Sequence, residues 1–214
     1  MNQPLQEEQE VETMLLLDTT ESMNWSADVN DPTPRKDLVG EAIGTIVEVL
    51  AEADSQAKKE QEEKADEEAG GLRTILFSGN RPGRDIGDLN PDNLAAKWNA
   101  IPWVGDTWIV PGFTTLLQVY KDEFGSLPAD KRPTLRAVVI TDGEAKDAAA
   151  FDNLLDRVSG NMFVIIATVG HGREHENAVA SYQAVAQRNS HVKVVPLGGQ
   201  DPETIAKTLL SMMS

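Results

Sequence analysis

Three oxygen-bearing side chains stand two residues apart in Asp18-Thr19-Thr20-Glu21-Ser22, so that Asp18, Thr20 and Ser22 converge on one point when the segment curls. A second carboxylate, Asp142, lies in Thr141-Asp142-Gly143, directly after a run of aliphatic residues. A third hydroxyl, Thr114, follows Gly112-Phe113, with Thr115 beside it as an alternative donor. Two carboxylates and three hydroxyls, without Cys or His, form a hard oxygen set that suits Mg²⁺ or Mn²⁺ rather than Zn²⁺. The plainer reading is that these Asp and Thr residues only cap loops.

The elements between these loops alternate. Val11–Leu17 reads as an apolar strand that runs straight into Asp18. Lys36–Ala53 places Leu38, Ala42, Ile46 and Leu50 beside Val39, Ile43 and Val47, a helical period with a wide buried stripe. Leu72–Ser78 is a second strand, and Arg84–Leu89 a short edge strand. Asn90-Pro91-Asp92 opens a short helix through Trp98. Thr115–Phe124 reads as a helix that begins just beyond the turn carrying Thr114. Leu135–Ile140 and Met162–Val169 are strands buried on both faces, followed by helices over Asp147–Val158 and Glu174–Arg188. Val192–Pro196 is a last strand, and Asp201-Pro202 starts a last helix. This alternation predicts an α/β fold: a doubly wound, mainly parallel sheet with helices on both faces and one antiparallel edge strand. One domain over 12–214 follows an acidic, disordered tail at 1–11, with a charged, solvated insertion or helix extension at 55–71.

Composition narrows the function. A formal charge of −16 over 214 residues argues against nucleic acid and anionic membrane as partners, because both are approached through clustered Lys and Arg. The absence of cysteine excludes thiolate metal sites and cysteine nucleophiles and fits a reducing compartment. The polar, acidic start carries no secretory pattern, and cytoplasmic residence is expected. No Gly-x-Gly-x-x-Gly, P-loop or Gly-x-Ser-x-Gly occurs, so dinucleotide, triphosphate and α/β-hydrolase chemistry lack their signatures.

Taken together in this order, the three segments resemble the metal-ion-dependent adhesion site of the von Willebrand factor A (vWA) family. That family's Asp-x-Ser-x-Ser is matched by Asp18 to Ser22 with Thr20 for the first Ser; its Thr after a Gly-rich turn is matched by Thr114; its Thr-Asp-Gly is matched by Thr141 to Gly143. The strand–helix pattern from about Thr13 to Met212 covers nearly the whole chain. Glu21 and Phe113 stand where the family commonly has Gly. The resemblance implies a Mg²⁺ (or Mn²⁺) held by Asp18, Thr20, Ser22, Thr114 and Asp142, with an open position that accepts an Asp or Glu carboxylate from a partner protein. It implies an adaptor or scaffold rather than an enzyme, set within a larger assembly.

Around that site Glu21, Trp25, Phe113, Glu144 and His171 are candidates for a partner-binding rim. Two other readings stay open. In one, the same ion serves a metal-assisted hydrolase with His171 as base. In the other, it only braces loops in a structural subunit.

Overall fold

The computed structural model describes residues 10–60, 71–143 and 145–213. The tail at 1–11 and the charged stretch at 55–71 therefore fall largely outside the described residues, as does the rim candidate Glu144.

Six strands form one sheet: β1 (Val11–Asp18), β2 (Leu72–Phe77), β3 (Arg84–Leu89), β4 (Thr134–Thr141), β5 (Met162–Val169) and β6 (Val192–Gly198). Their order across the sheet is β3-β2-β1-β4-β5-β6. All neighbours are parallel except β2 and β3, which pair antiparallel with a register shift between Arg73 and Ile75. The expected antiparallel edge strand is β3.

Alternation along the inner strands decides what lies on each face. On β1, Leu15 and Leu17 join a core with Ile43 and Val47 of α1 (Arg35–Glu60) and with Ile205 and Leu209 of α6 (Pro202–Met213). Met14 and Leu16 point the other way. They pack with Leu116 of α3 (Ile109–Phe124), Phe151 of α4 (Ala148–Leu155) and Tyr182 of α5 (Arg173–Arg188). A short α2 (Leu94–Asn99) sets Trp98 against Trp103, with ring centroids 5.1 Å apart. Truncating one of these fully buried leucines to Ala would cost about 2–5 kcal/mol.

From β1 the chain first winds outward to β2 and β3, then returns to β4 and winds outward to β5 and β6. The loops leaving β1 and β4 therefore diverge, and a crevice opens between them at the carboxyl ends of the strands. Asp18 closes β1, and Asp142 follows directly on β4.

α3 begins six residues earlier than its sequence pattern predicts. Its first backbone N–H groups, from Ile109 and Val110, each donate to the Asp147 carboxylate at 2.9 Å. That carboxylate meets both the orphan donors and the positive end of the helix. Pro111 is tolerated in the first turn, where its missing N–H breaks no bond. Gly112 is then no turn residue but a point of close approach, since a Cβ there would stand 2.4 Å from Cβ of Phe77.

Candidate metal centre

Asp18 is fully buried, and both of its carboxylate oxygens are held. Oδ1 accepts the Thr20 backbone N–H at 2.9 Å and the Thr20 hydroxyl at 2.6 Å. Oδ2 accepts the hydroxyl of Thr141, at the end of β4, at 2.7 Å. A single 3₁₀ turn over Glu21–Asn24 curls the segment and brings Ser22 Oγ to 3.1 Å from Thr20 Oγ1. The hydroxyl of Thr107 donates to the same Thr20 oxygen at 3.2 Å, closing a knot of three hydroxyls over the Asp18 carboxylate. Burial first, and the Asp142 charge second, push the Asp18 carboxyl up to about 7. An added cation in this pocket would oppose both effects.

Asp142 is equally buried, and its Oδ2 accepts a 2.8 Å charge-assisted bond from Nη1 of Arg35, which is only 3% exposed. The same nitrogen approaches the Ser22 carbonyl at 3.4 Å. The guanidinium fits because residue 170 is glycine: a Cβ there would lie 2.8 Å from Arg35 Nε. Gly170 also holds φ +135°, a conformation that suits only glycine. His175 Nδ1 lies 2.8 Å from the Asp142 carbonyl oxygen, so this histidine is a buried brace of the loop.

The residues expected from sequence divide clearly. Asp18, Thr20, Ser22 and Asp142 are brought to one crevice, and Thr114 is not. It sits on an exposed part of α3, and its hydroxyl donates to the Val110 carbonyl one turn back at 2.8 Å. The early start of α3 causes this, because it turns the expected Gly-x-Thr loop into helix. Thr107, in Gly105-Asp106-Thr107 just before α3, takes the place expected of Thr114. The sequence signal for it is Gly105-Asp106-Thr107 just before an apolar helical run, and the structure turns there with Gly105 at φ +93°.

Phe113 is not at the rim either. It is 1% exposed and meets Phe151 edge-on, with centroids 5.4 Å apart. Glu21 and Trp25 are exposed beside the site, Trp25 by 56% with its ring 5.9 Å from the Arg35 guanidinium carbon. His171 lies in the loop after β5 and makes no hydrogen bond among the described residues.

The donor set fits a hard divalent ion. Oxygens about 2.1 Å from Mg²⁺ in an octahedron stand about 3.0 Å from their neighbours. The Thr20–Ser22 and Thr20–Thr107 oxygens, 3.1 and 3.2 Å apart, already have about that spacing. Among the described residues no trio of His, Cys, Asp or Glu gathers as ligands, so an ion here would lean on hydroxyls.

The architecture matches known proteins closely enough to decide its class. At 14% identity the chain aligns with the SpRpn10 VWA domain over 94% of its own length and 95% of that domain, with a TM-score of 0.58. The fold is that of a von Willebrand factor A domain. A match of similar quality is the manganese-loaded TRAP protein of Plasmodium vivax, at 11% identity, 96% and 72% coverage and a TM-score of 0.58. The PilB minor pilin of Streptococcus sanguinis (D319A mutant) superposes with a TM-score of 0.65 at 13% identity over 98% of this chain, which spans 62% of that protein. No protein-family model matches the sequence, and no curated relative aligns with it.

Proposed function

We propose that this vWA domain is a metal-dependent protein-binding module, with Thr20, Ser22 and Thr107 as direct ligands of a Mg²⁺ or Mn²⁺ ion and Asp18 and Asp142 as the carboxylates behind them. The observation that carries this reading is the hydroxyl knot itself: Ser22 and Thr107 each lie within 3.2 Å of the Thr20 hydroxyl, which donates to the buried Asp18. When bound, such an ion supplies a Lewis-acidic position that takes an Asp or Glu carboxylate from a partner. The chain's own residues do the rest. Asp18 orients the Thr20 hydroxyl, Thr141 fixes Asp18, and Arg35 fixes Asp142 while offsetting its charge. Because Arg35 neutralises one of the two carboxylates, an ion held here keeps more of its charge for an incoming anion. The manganese carried by the similar TRAP protein agrees with this class of ion.

The bracing reading draws less support. Arg35 and Thr141 already tie the loops after β1 and β4 together without an ion. For the hydrolase reading, His175 is committed to the Asp142 carbonyl, and among the described residues no activated nucleophile accompanies His171.

Titration calorimetry with Mg²⁺ and Mn²⁺, followed by capture of partners from host extract with ion or with chelator, tests the proposal. Wild type should bind the ion and retain the same proteins only when it is present, and Asp18→Ala should lose both properties. Retention that is indifferent to chelator and to Asp18→Ala refutes it.

A further inference from the structure

Beside the hydroxyl knot the surface changes sign. Thr19, between Asp18 and Thr20, lines a cleft of about 500 Å³ whose opposite wall is the β2–β3 loop with Arg81, Pro82, Gly83 and Arg84. In a chain of net charge −16, the segment Ser78–Arg84 carries two arginines and no acid. Neither arginine has an ion pair among the described residues; Arg81 only makes two long bonds to Ser78, both 3.3 Å. Two of the acids along this rim are already engaged. Asp85 is held by Arg73 at 2.6 Å, and Asp106 by Lys146 at 2.6 Å. Arg81 and Arg84 are thus the uncompensated charge of this wall, and both are exposed.

The wall is set in place before any ligand arrives. Gly83 N–H donates to the Thr115 hydroxyl at 2.9 Å, tying the loop to α3. Gly79 N–H donates to the Asp106 carbonyl at 2.6 Å, and Glu21 N–H donates to the Gly105 carbonyl at 3.1 Å. These bonds join the β2–β3 loop, the Thr107 loop and the Ser22 turn into one rim. Beyond Arg81 and Pro82 lies a second, mostly apolar groove of about 470 Å³, lined by Val110, Pro111, Thr114 and Val119 of α3.

We infer that the cleft at Arg81 and Arg84 is a second anion subsite. It receives a further carboxylate of an acidic protein segment whose first carboxylate sits at the hydroxyl knot, with an apolar side chain of the same segment in the α3 groove. The charge complementarity of an uncompensated cationic wall on a strongly acidic chain commits the occupant to an acidic segment. This inference rests on the metal-site reading, and its test separates the two.

A fluorescein-labelled hexaglutamate peptide, and the same peptide extended by one leucine, serve as probes in anisotropy titrations with Mg²⁺ or with chelator. Ion binding is followed separately by calorimetry. Arg81→Gln/Arg84→Gln should weaken the Mg²⁺-dependent binding roughly five- to tenfold, as expected for two partly exposed charge contacts, with Mg²⁺ affinity unchanged. Lys207→Gln, the same charge change on exposed α6, should leave peptide binding as it was. The added leucine should tighten binding to wild type but not to Val110→Ser. Loss of peptide binding in Asp18→Ala with no change in the double arginine variant overturns the subsite and leaves the metal reading standing. Binding that needs the arginines but ignores chelator and Asp18→Ala supports the subsite and overturns the metal reading. If neither peptide binds wild type, the subsite is overturned.

Discussion

β1 carries a buried or half-buried acid at each end, and the two are used differently. Both Glu12 and Asp18 have carboxyls pushed up to about 7, and in both burial is the main cause. Asp18 is fully enclosed, yet its oxygens accept three hydrogen bonds from Thr20 and Thr141. Glu12 faces the like charges of Glu123 and Asp88, relieved only by Arg73, and its carboxylate accepts no hydrogen bond among the described residues. The difference is one of organisation. A buried carboxylate with fixed orientation and neighbouring hydroxyls is what the proposed ion would need, whereas one among other acids is simply a cost of the fold.

The comparison breaks most visibly at Arg35. If the carboxyl end is an organised charge cluster, Arg35→Met leaves Asp142 buried without its counter-charge and should destabilise the domain by about 3–5 kcal/mol. Chemical denaturation in chelator measures this, and added Mg²⁺ should restore part of the loss. A variant as stable as wild type would mean that Asp142 is not held as an ion at all.

Next in size is the contrast between two threonines. Thr107→Val should lower Mg²⁺ affinity by about tenfold or more, the order of effect seen when groups around a metal are removed. Thr114→Val should leave the affinity unchanged, and calorimetry on both variants reads the difference directly.

The smallest effect belongs to the amino end. The Glu12 carboxyl is raised in the folded state above its ordinary value of 4.5. The fold therefore holds this proton more tightly than the unfolded chain, and stability falls as pH rises from about 4.5 to about 7. Glu12→Gln should raise the melting temperature at pH 8 by a few degrees and leave it nearly unchanged at pH 4.5. An equal gain at both pH values would point to packing instead of charge.

Much of the fold was legible because it is written in local apolar patterns. The runs at Val11–Leu17, Leu135–Ile140 and Met162–Val169 are long enough to specify inner strands of a parallel sheet, and β1, β4 and β5 lie there. Asp18, Thr20 and Ser22 could be grouped because they are close in sequence, and a single turn is enough to gather them. The start of α3 is not legible in the sequence because its cap, Asp147, lies far along the chain, and no pattern within 105–115 records that bond. From sequence alone Thr114 therefore reads as a loop ligand and Phe113 as a rim residue, and the longer helix places neither there.

The sequence by itself determined the alternation of elements, the hard-oxygen character of the centre and the local cluster Asp18-x-Thr20-x-Ser22. Those properties follow from side-chain chemistry and from spacings of a few residues. Only the tertiary structure decided which distant groups complete the cluster. The Thr20–Thr107 contact spans 87 residues, the Thr141–Asp18 contact 123 and the Arg35–Asp142 ion pair 107. Strand order brings these residues together, and strand order depends on which apolar faces bury one another, a choice made by the packed whole and not by any one segment.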